Sequence, residues 1–176
     1  MLSKLFFKIL PLTLVSLLFS SCLGNNNEAN NYSEWRAEND AFIANAEIET
    51  ENGLLVYEKV SPSWDNTVFA LMRWHNEREA NSNGLVPLSN STIDVKYTLT
   101  TIAGDTVDSS SSFRCKPNQM ITGFWTAVTN MHETDTVTAI IPYSSGYGAY
   151  GSGAVPPYST LIFGIRLDSI VAYEKR

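Results

Sequence analysis

One stretch, "NQMITGFWTAVTNM" (118–131), limits the folds open to this chain more than any other. Ile121, Phe124 or Trp125, and Val128 recur there at helical spacing. Gly123 and several β-branched residues make the same stretch a poor helix former by itself. A short helix forms here only if its apolar face is buried against another element.

The flanking segments offer that element. "LLVYEKV" (54–60) reads as a strand ended by Pro62. "TVFALMRWH" (67–75) alternates Val68, Ala70, Met72 and Trp74 against Phe69 and Leu71. "STIDVKYTLT" (91–100) places Ile93, Val95, Tyr97 and Leu99 on one face at period two. Ala103-Gly104-Asp105 then turns the chain into "TVDSS". "TVTAIIP" (136–142) is a further strand, and "TLIFGIRLDSIV" (160–171) a long one with Leu161, Phe163, Ile165 and Leu167 inward. Strands, one short helix, then strands predict an α+β domain: an antiparallel β-sheet wrapped around one short α-helix.

The N-terminus sets the compartment. "MLSKLFFKILPLTLVSLLFSSC" carries Lys4 and Lys8 about an apolar stretch too short to span a membrane, so residues 1–21 read as a cleaved signal. Ser20-Ser21-Cys22 resembles a bacterial lipobox, with Phe19 where Leu is usual. That makes Cys22 the lipidation site, the alternative being an ordinary secretory signal with an incidental cysteine. Residues 22–31, rich in Asn, read as a disordered tether. An N-terminal helix follows over 32–50, with Trp35, Phe42, Ile43 and Ala46 near one face and Asn31 with Glu34 as its cap. It has three possible places: packed on the domain, as a stalk, or against a partner helix in a homodimer. Residues 51–176 form the remaining domain. The location expected is the cell envelope, lipid-anchored to the outer membrane, facing the periplasm or the outside.

Charge and cysteine count exclude whole classes. Net charge is −6, and losing Lys4 and Lys8 with the signal makes it −8, which disfavours nucleic acid. Cys115 is then the one cysteine besides Cys22, so an intrachain disulfide and a thiolate zinc site are both ruled out. Cys115 reads as a small buried apolar residue, and His75 and His132 as surface histidines. Trp64 and Trp74 read as one packing cluster within Leu54–Asn90, a stretch longer than the domain needs.

Four pieces, in order from about Ile93 to Ile170, carry a family resemblance: "VKYTLTTIAGDTVDSS", "QMITGFWTAVTNM", "TAIIPYSSGYGAYG" and "VPPYSTLIFGIRLDSI". Together they resemble the FKBP-type peptidyl-prolyl cis-trans isomerases. The resemblance implies an FKBP-like fold with a shallow apolar cup for a proline ring, roofed by the Tyr-Gly loop. It implies the site as well. Tyr97 would line the cup from the sheet, Asp108 would sit at its rim, and Ile121 would present its backbone N–H to a substrate carbonyl. Phe124 would be the floor, Tyr147 would offer a hydroxyl from the flap, and Phe163 would close the wall. Val107, Phe113, Met120 and Val155 complete the substrate-binding set. Phe124 stands where the family has Trp, Val107 where it has Phe, and Leu99 where it has Gly, so a less apolar and wider cup is expected.

The resemblance implies chemistry without cofactor or metal. The partners expected are X–Pro polypeptides, and the function expected is isomerisation that assists folding of exported proteins. Two alternatives stand beside it: a catalytically weak binding, chaperone or assembly module, and a structural lipoprotein that dimerises through its N-terminal helix.

Overall fold

The computed structural model describes residues 32–77 and 84–174. The segments expected to be a signal (1–21) and a tether (22–31), with the expected lipidation site Cys22, lie outside the described residues. Helix α1 (Ser33–Ile48) leads into a hairpin of β1 (Thr50–Glu51) and β2 (Leu54–Leu55). Then come β3 (Glu58–Val60), β4 (Ala70–Trp74), β5 (Thr92–Thr100) and β6 (Thr106–Cys115). Helix α2 (Thr122–Val128), β7 (Thr136–Ile141) and β8 (Leu161–Ala172) follow. The six longer strands make one sheet in the order β3-β4-β7-β8-β5-β6, antiparallel throughout.

Alternation along the strands decides what each face carries. Ala70 and Met72 of β4, Val137, Ala139 and Ile141 of β7, and Leu161, Phe163, Ile165 and Leu167 of β8 share one face. Phe124, Ala127 and Val128 of α2 bury themselves there, which supplies the tertiary support that the helix lacks locally. Leu71, Ile140 and Ile162 point to the opposite face, where Phe42, Ile43 and Ala46 of α1 cover them. Gly123 sets how closely α2 approaches β7: a Cβ built on it would stand 2.2 Å from the Ile141 side chain.

A buried polar clamp fixes α1. Asn39 is fully buried, and its Oδ1 accepts the Thr160 backbone N–H at 2.6 Å. Its Nδ2 donates to the Trp35 carbonyl at 2.7 Å. One turn earlier, the Trp35 indole donates to Ser159 Oγ at 3.1 Å. The helix is thus packed on the sheet and tied to the chain that enters β8.

Some details differ from the sequence reading. "LLVYEKV" is not one strand, because Asn52 (φ 53°) and Gly53 (φ 81°) form a two-residue hairpin turn that pairs Leu54–Leu55 with Thr50–Glu51. Strand β3 starts afresh at Glu58. Tyr32 holds the cap position of α1 with no side-chain cap bond, and Asn31 lies outside the described residues. Trp64 and Trp74 do not cluster: Trp64 stacks on Trp125 of α2 at 5.6 Å, while Trp74 donates to Glu58 at 2.9 Å. His132 is mostly buried beside Asp135 rather than on the surface, since its backbone N–H closes the turn onto that carboxylate at 2.8 Å. Among the described residues no helix is long and apolar enough to cross a membrane.

Candidate active site

Strand β5 brings Tyr97 onto the core face between Val95 and Leu99, and β6 runs antiparallel beside it. Leu99 lies opposite Asp108, and this register carries the Asp108 carboxylate to the Tyr97 hydroxyl. That hydroxyl donates to Asp108 Oδ2 at 2.7 Å, while Oδ1 accepts the Ser109 N–H at 2.8 Å. A register shift between Val95 and Tyr97 leaves Phe113 opposite Val95. The Phe113 ring then meets Tyr97 edge-on at 5.6 Å.

The aromatic floor comes from two further elements. Phe124 of α2 is 1% exposed, and Phe163 of β8 meets it at 5.3 Å. Tyr97 lies 6.4 Å from Phe124 and 6.0 Å from Phe163, within the range where offset and edge-to-face rings attract. Val155 is buried in the same cluster, and Val107, Met120, Ile121 and Tyr147 pack half-buried against it. Nine of the ten residues expected in the cup therefore converge on one apolar cluster. The tenth, Asp108, is exposed and joins it through the Tyr97 hydroxyl.

Ile121 stands at the start of α2, in extended rather than helical backbone (φ −56°, ψ 148°). Its amide is one of those at a helix start that no helical turn satisfies. Neighbouring Met120 has its own N–H bonded to the Pro117 carbonyl at 3.0 Å.

The loop after β7 sorts its tyrosines into different tasks. Tyr147 packs on the cup, and Tyr150 is 92% exposed. Tyr158 turns away, meets Tyr143 edge-on at 5.4 Å, and lies under the Arg36 guanidinium of α1 at 5.0 Å. Glycine is required at Gly151 (φ +69°), where a Cβ would lie 2.3 Å from the Val155 carbonyl oxygen.

The electrostatics centre on one carboxylate. Burial first, then the bond and charge of Asp108, push the Tyr97 hydroxyl up to about 12. Burial and the same charge raise Tyr147 as well. Both hydroxyls therefore stay protonated as donors at neutral pH, beside the apolar side chains of the cluster. Such an arrangement desolvates an apolar ring and offers hydrogen bonds at its edge.

Residues 86–168 match the family model of the FKBP-type peptidyl-prolyl cis-trans isomerases. This segment is an FKBP-type domain. It is 39% identical over 84 residues to the macrophage infectivity potentiator of Trypanosoma cruzi, a match covering 44% of this chain and 42% of that protein. The chain thus spans under half the length of the curated relative it matches. In fold, it is similar to a peptidyl-prolyl cis-trans isomerase of Pseudomonas syringae (TM-score 0.65, 21% identity, 78% of this chain and 94% of that one). It is also similar to FkpA of Escherichia coli (TM-score 0.66, 19% identity, 80% and 61%).

The FKBP-type domain supplies β5, β6, α2, β7 and most of β8. Strand β4 extends its sheet at the β7 edge, with β3 outside it. Two contributors stand outside the site residues expected from the resemblance. Leu99, which replaces a family glycine, is buried in the cup cluster, and its place on the apolar face of β5 was the available signal. Trp35 of α1 reaches Ser159 across 124 positions, and no local pattern announces such a partner.

Proposed function

We infer that the cup receives a proline ring and catalyses cis-trans isomerisation of the X–Pro peptide bond. The convergence of Tyr97, Phe124 and Phe163, with the Tyr97 hydroxyl held by Asp108, carries this reading.

Rotation about an X–Pro bond faces a barrier of roughly 20 kcal/mol because it breaks amide resonance. At the twisted midpoint the nitrogen pyramidalises, and the carbonyl loses its dipolar resonance form. That state is less polar than the planar amide, so an apolar pocket favours it over water. Lowering the barrier by about 5 kcal/mol accelerates the step several thousandfold. Phe124, Phe163, Val155 and Tyr97 desolvate the ring. The Ile121 N–H and the Tyr147 hydroxyl hold the flanking carbonyls while the bond turns. Asp108 orients Tyr97 and sets the field beside the twisted carbonyl. No bond is made or broken.

The N-terminal sequence supports a cell-envelope setting, with Cys22 as the lipid anchor and exported X–Pro polypeptides as clients. The replacements at Val107, Leu99 and Phe124 favour one other reading, a cup that binds without turnover. Cis-to-trans relaxation of an X–Pro tetrapeptide separates the two. Acceleration by the purified protein supports the isomerase. No acceleration, together with suppressed aggregation of an unfolded protein, supports the binding module and overturns the isomerase.

A further inference from the structure

A hollow of about 380 Å³ lies beside the aromatic cluster, between the start of α1 and the β5–β6 turn. Tyr32 and Trp35 form one side, Val107, Ala154 and Pro156 the other, and Asp105 stands among them. Two observations join it to the cup. Val107 lines this hollow and also packs in the cup cluster. Ala154 and Pro156 flank Val155, which is buried in that same cluster.

The helical wall is held firmly. The Trp35 indole donates to Ser159 Oγ at 3.1 Å, and that hydroxyl donates to the Pro156 carbonyl at 2.8 Å. Both walls are thus bridged through one buried serine. The Asn39–Thr160 clamp sits one helical turn further on. Trp35 nevertheless stays half-exposed, so a ring face remains available.

Charge selects the occupant. Asp105 is exposed, is the one charged residue lining the hollow, and makes no ion pair among the described residues. Apolar rings beside a free carboxylate suit a lysine or arginine: the alkyl stem lies on Trp35 and Val107, and the cationic head meets Asp105. The chain's net charge of −6 attracts such segments from a distance. An extended peptide advances about 3.3–3.6 Å per residue, so a residue within two or three positions of a cup-bound proline reaches the adjoining hollow.

Resting on the isomerase reading, we propose that Trp35 and Asp105 form a specificity subsite for a basic side chain near the substrate proline. The N-terminal helix is then part of the substrate-binding surface, and clients with Lys or Arg close to proline are preferred.

The test uses the full chain and Ala-based X–Pro peptides carrying Lys or Glu at each position within three residues of proline. Binding by calorimetry and isomerisation rates are measured together. At one position the wild type favours Lys over Glu by about tenfold, and Asp105→Lys reverses the order. Trp35→Ala lowers the Lys preference by about fivefold, chiefly through KM rather than kcat. Asp105 lies on an exposed turn, so its reversal remains interpretable if Trp35→Ala does not fold. A Lys-to-Glu ratio that Asp105→Lys leaves unchanged at every position overturns the subsite. Binding with that charge-reversed preference but no rate acceleration supports the subsite and sinks the isomerase reading alone.

Discussion

Tyr97 on β5 donates its hydroxyl to Asp108 on β6 at 2.7 Å, a pairing that the antiparallel register makes possible by setting Leu99 opposite Asp108. A tyrosine in the cup wall is thereby tied to a carboxylate at the rim. Breaking the tie changes the pocket's polarity without removing its carbon lining.

The tie has a pH signature. The Tyr97 hydroxyl titrates at about 12 in the folded protein against 10.0 ordinarily, so the folded state keeps a proton that the unfolded state gives up. Stability from this group is intact below pH 10 and is lost as pH rises towards 12. Tyr97→Phe flattens that decline in denaturation midpoints measured across the window. Asp108→Asn lowers the Tyr97 value seen by tyrosinate absorbance, leaving burial as the chief remaining cause, with Tyr147 and Cys115 behind it. An unchanged titration in Asp108→Asn contradicts the assignment.

The isomerase reading assigns hydrogen-bond roles to Tyr147 and Asp108. Tyr147→Phe keeps the ring on the cup and deletes the donor, so kcat/KM for X–Pro peptides falls by about tenfold. Asp108→Ala falls by a similar factor. A Tyr147→Phe variant as active as wild type shows that the flap contributes its ring alone.

Phe124 is sealed beneath Tyr97 and Phe163. Restoring the family residue by Phe124→Trp puts a larger ring into a filled site and costs about 1–3 kcal/mol, read from urea denaturation. A more stable variant means that spare volume exists under the cup.

Gly123 touches Ile141 so closely that Gly123→Ala forces α2 off β7 or bends Ile141 aside. The expected loss is about 1–3 kcal/mol, despite the higher helix propensity of Ala. Pairing it with Ile141→Val restores part of that loss. If the double variant recovers nothing, the contact is not the cause.

Asn39→Ala leaves the Thr160 amide without its acceptor and costs about 1–3 kcal/mol. Amide exchange at Thr160 accelerates more than exchange in the centre of β5. Equal protection of the Thr160 amide in the wild type and in Asn39→Ala rules out the clamp as the element that fixes α1.

Much of the site was legible because strand alternation is local. Tyr97 and Leu99 fall on the buried face of β5 by period two, and Phe163 does so on β8, whatever lies opposite. The Tyr-Gly loop announced its own turns through glycine. The hairpin at Asn52-Gly53 was readable by the same chemistry, yet the apolar run after it hid the break. Trp64 and Trp74 misled because two tryptophans in one stretch share a composition but not a face.

The order of the longer strands about α2 and the apolar face of each belong to the sequence alone, since each follows from residues within a turn or a few positions of one another. The cup-forming segments are named instead by the resemblance of four ordered motifs. Where α1 lies and which walls bound the hollow beside it were decided only by tertiary structure. Asn39 and Thr160 are 121 positions apart, and Trp35 and Ser159 are 124 apart. Their bonds exist because sheet closure returns the chain to α1, and no local pattern records where a distant segment will arrive.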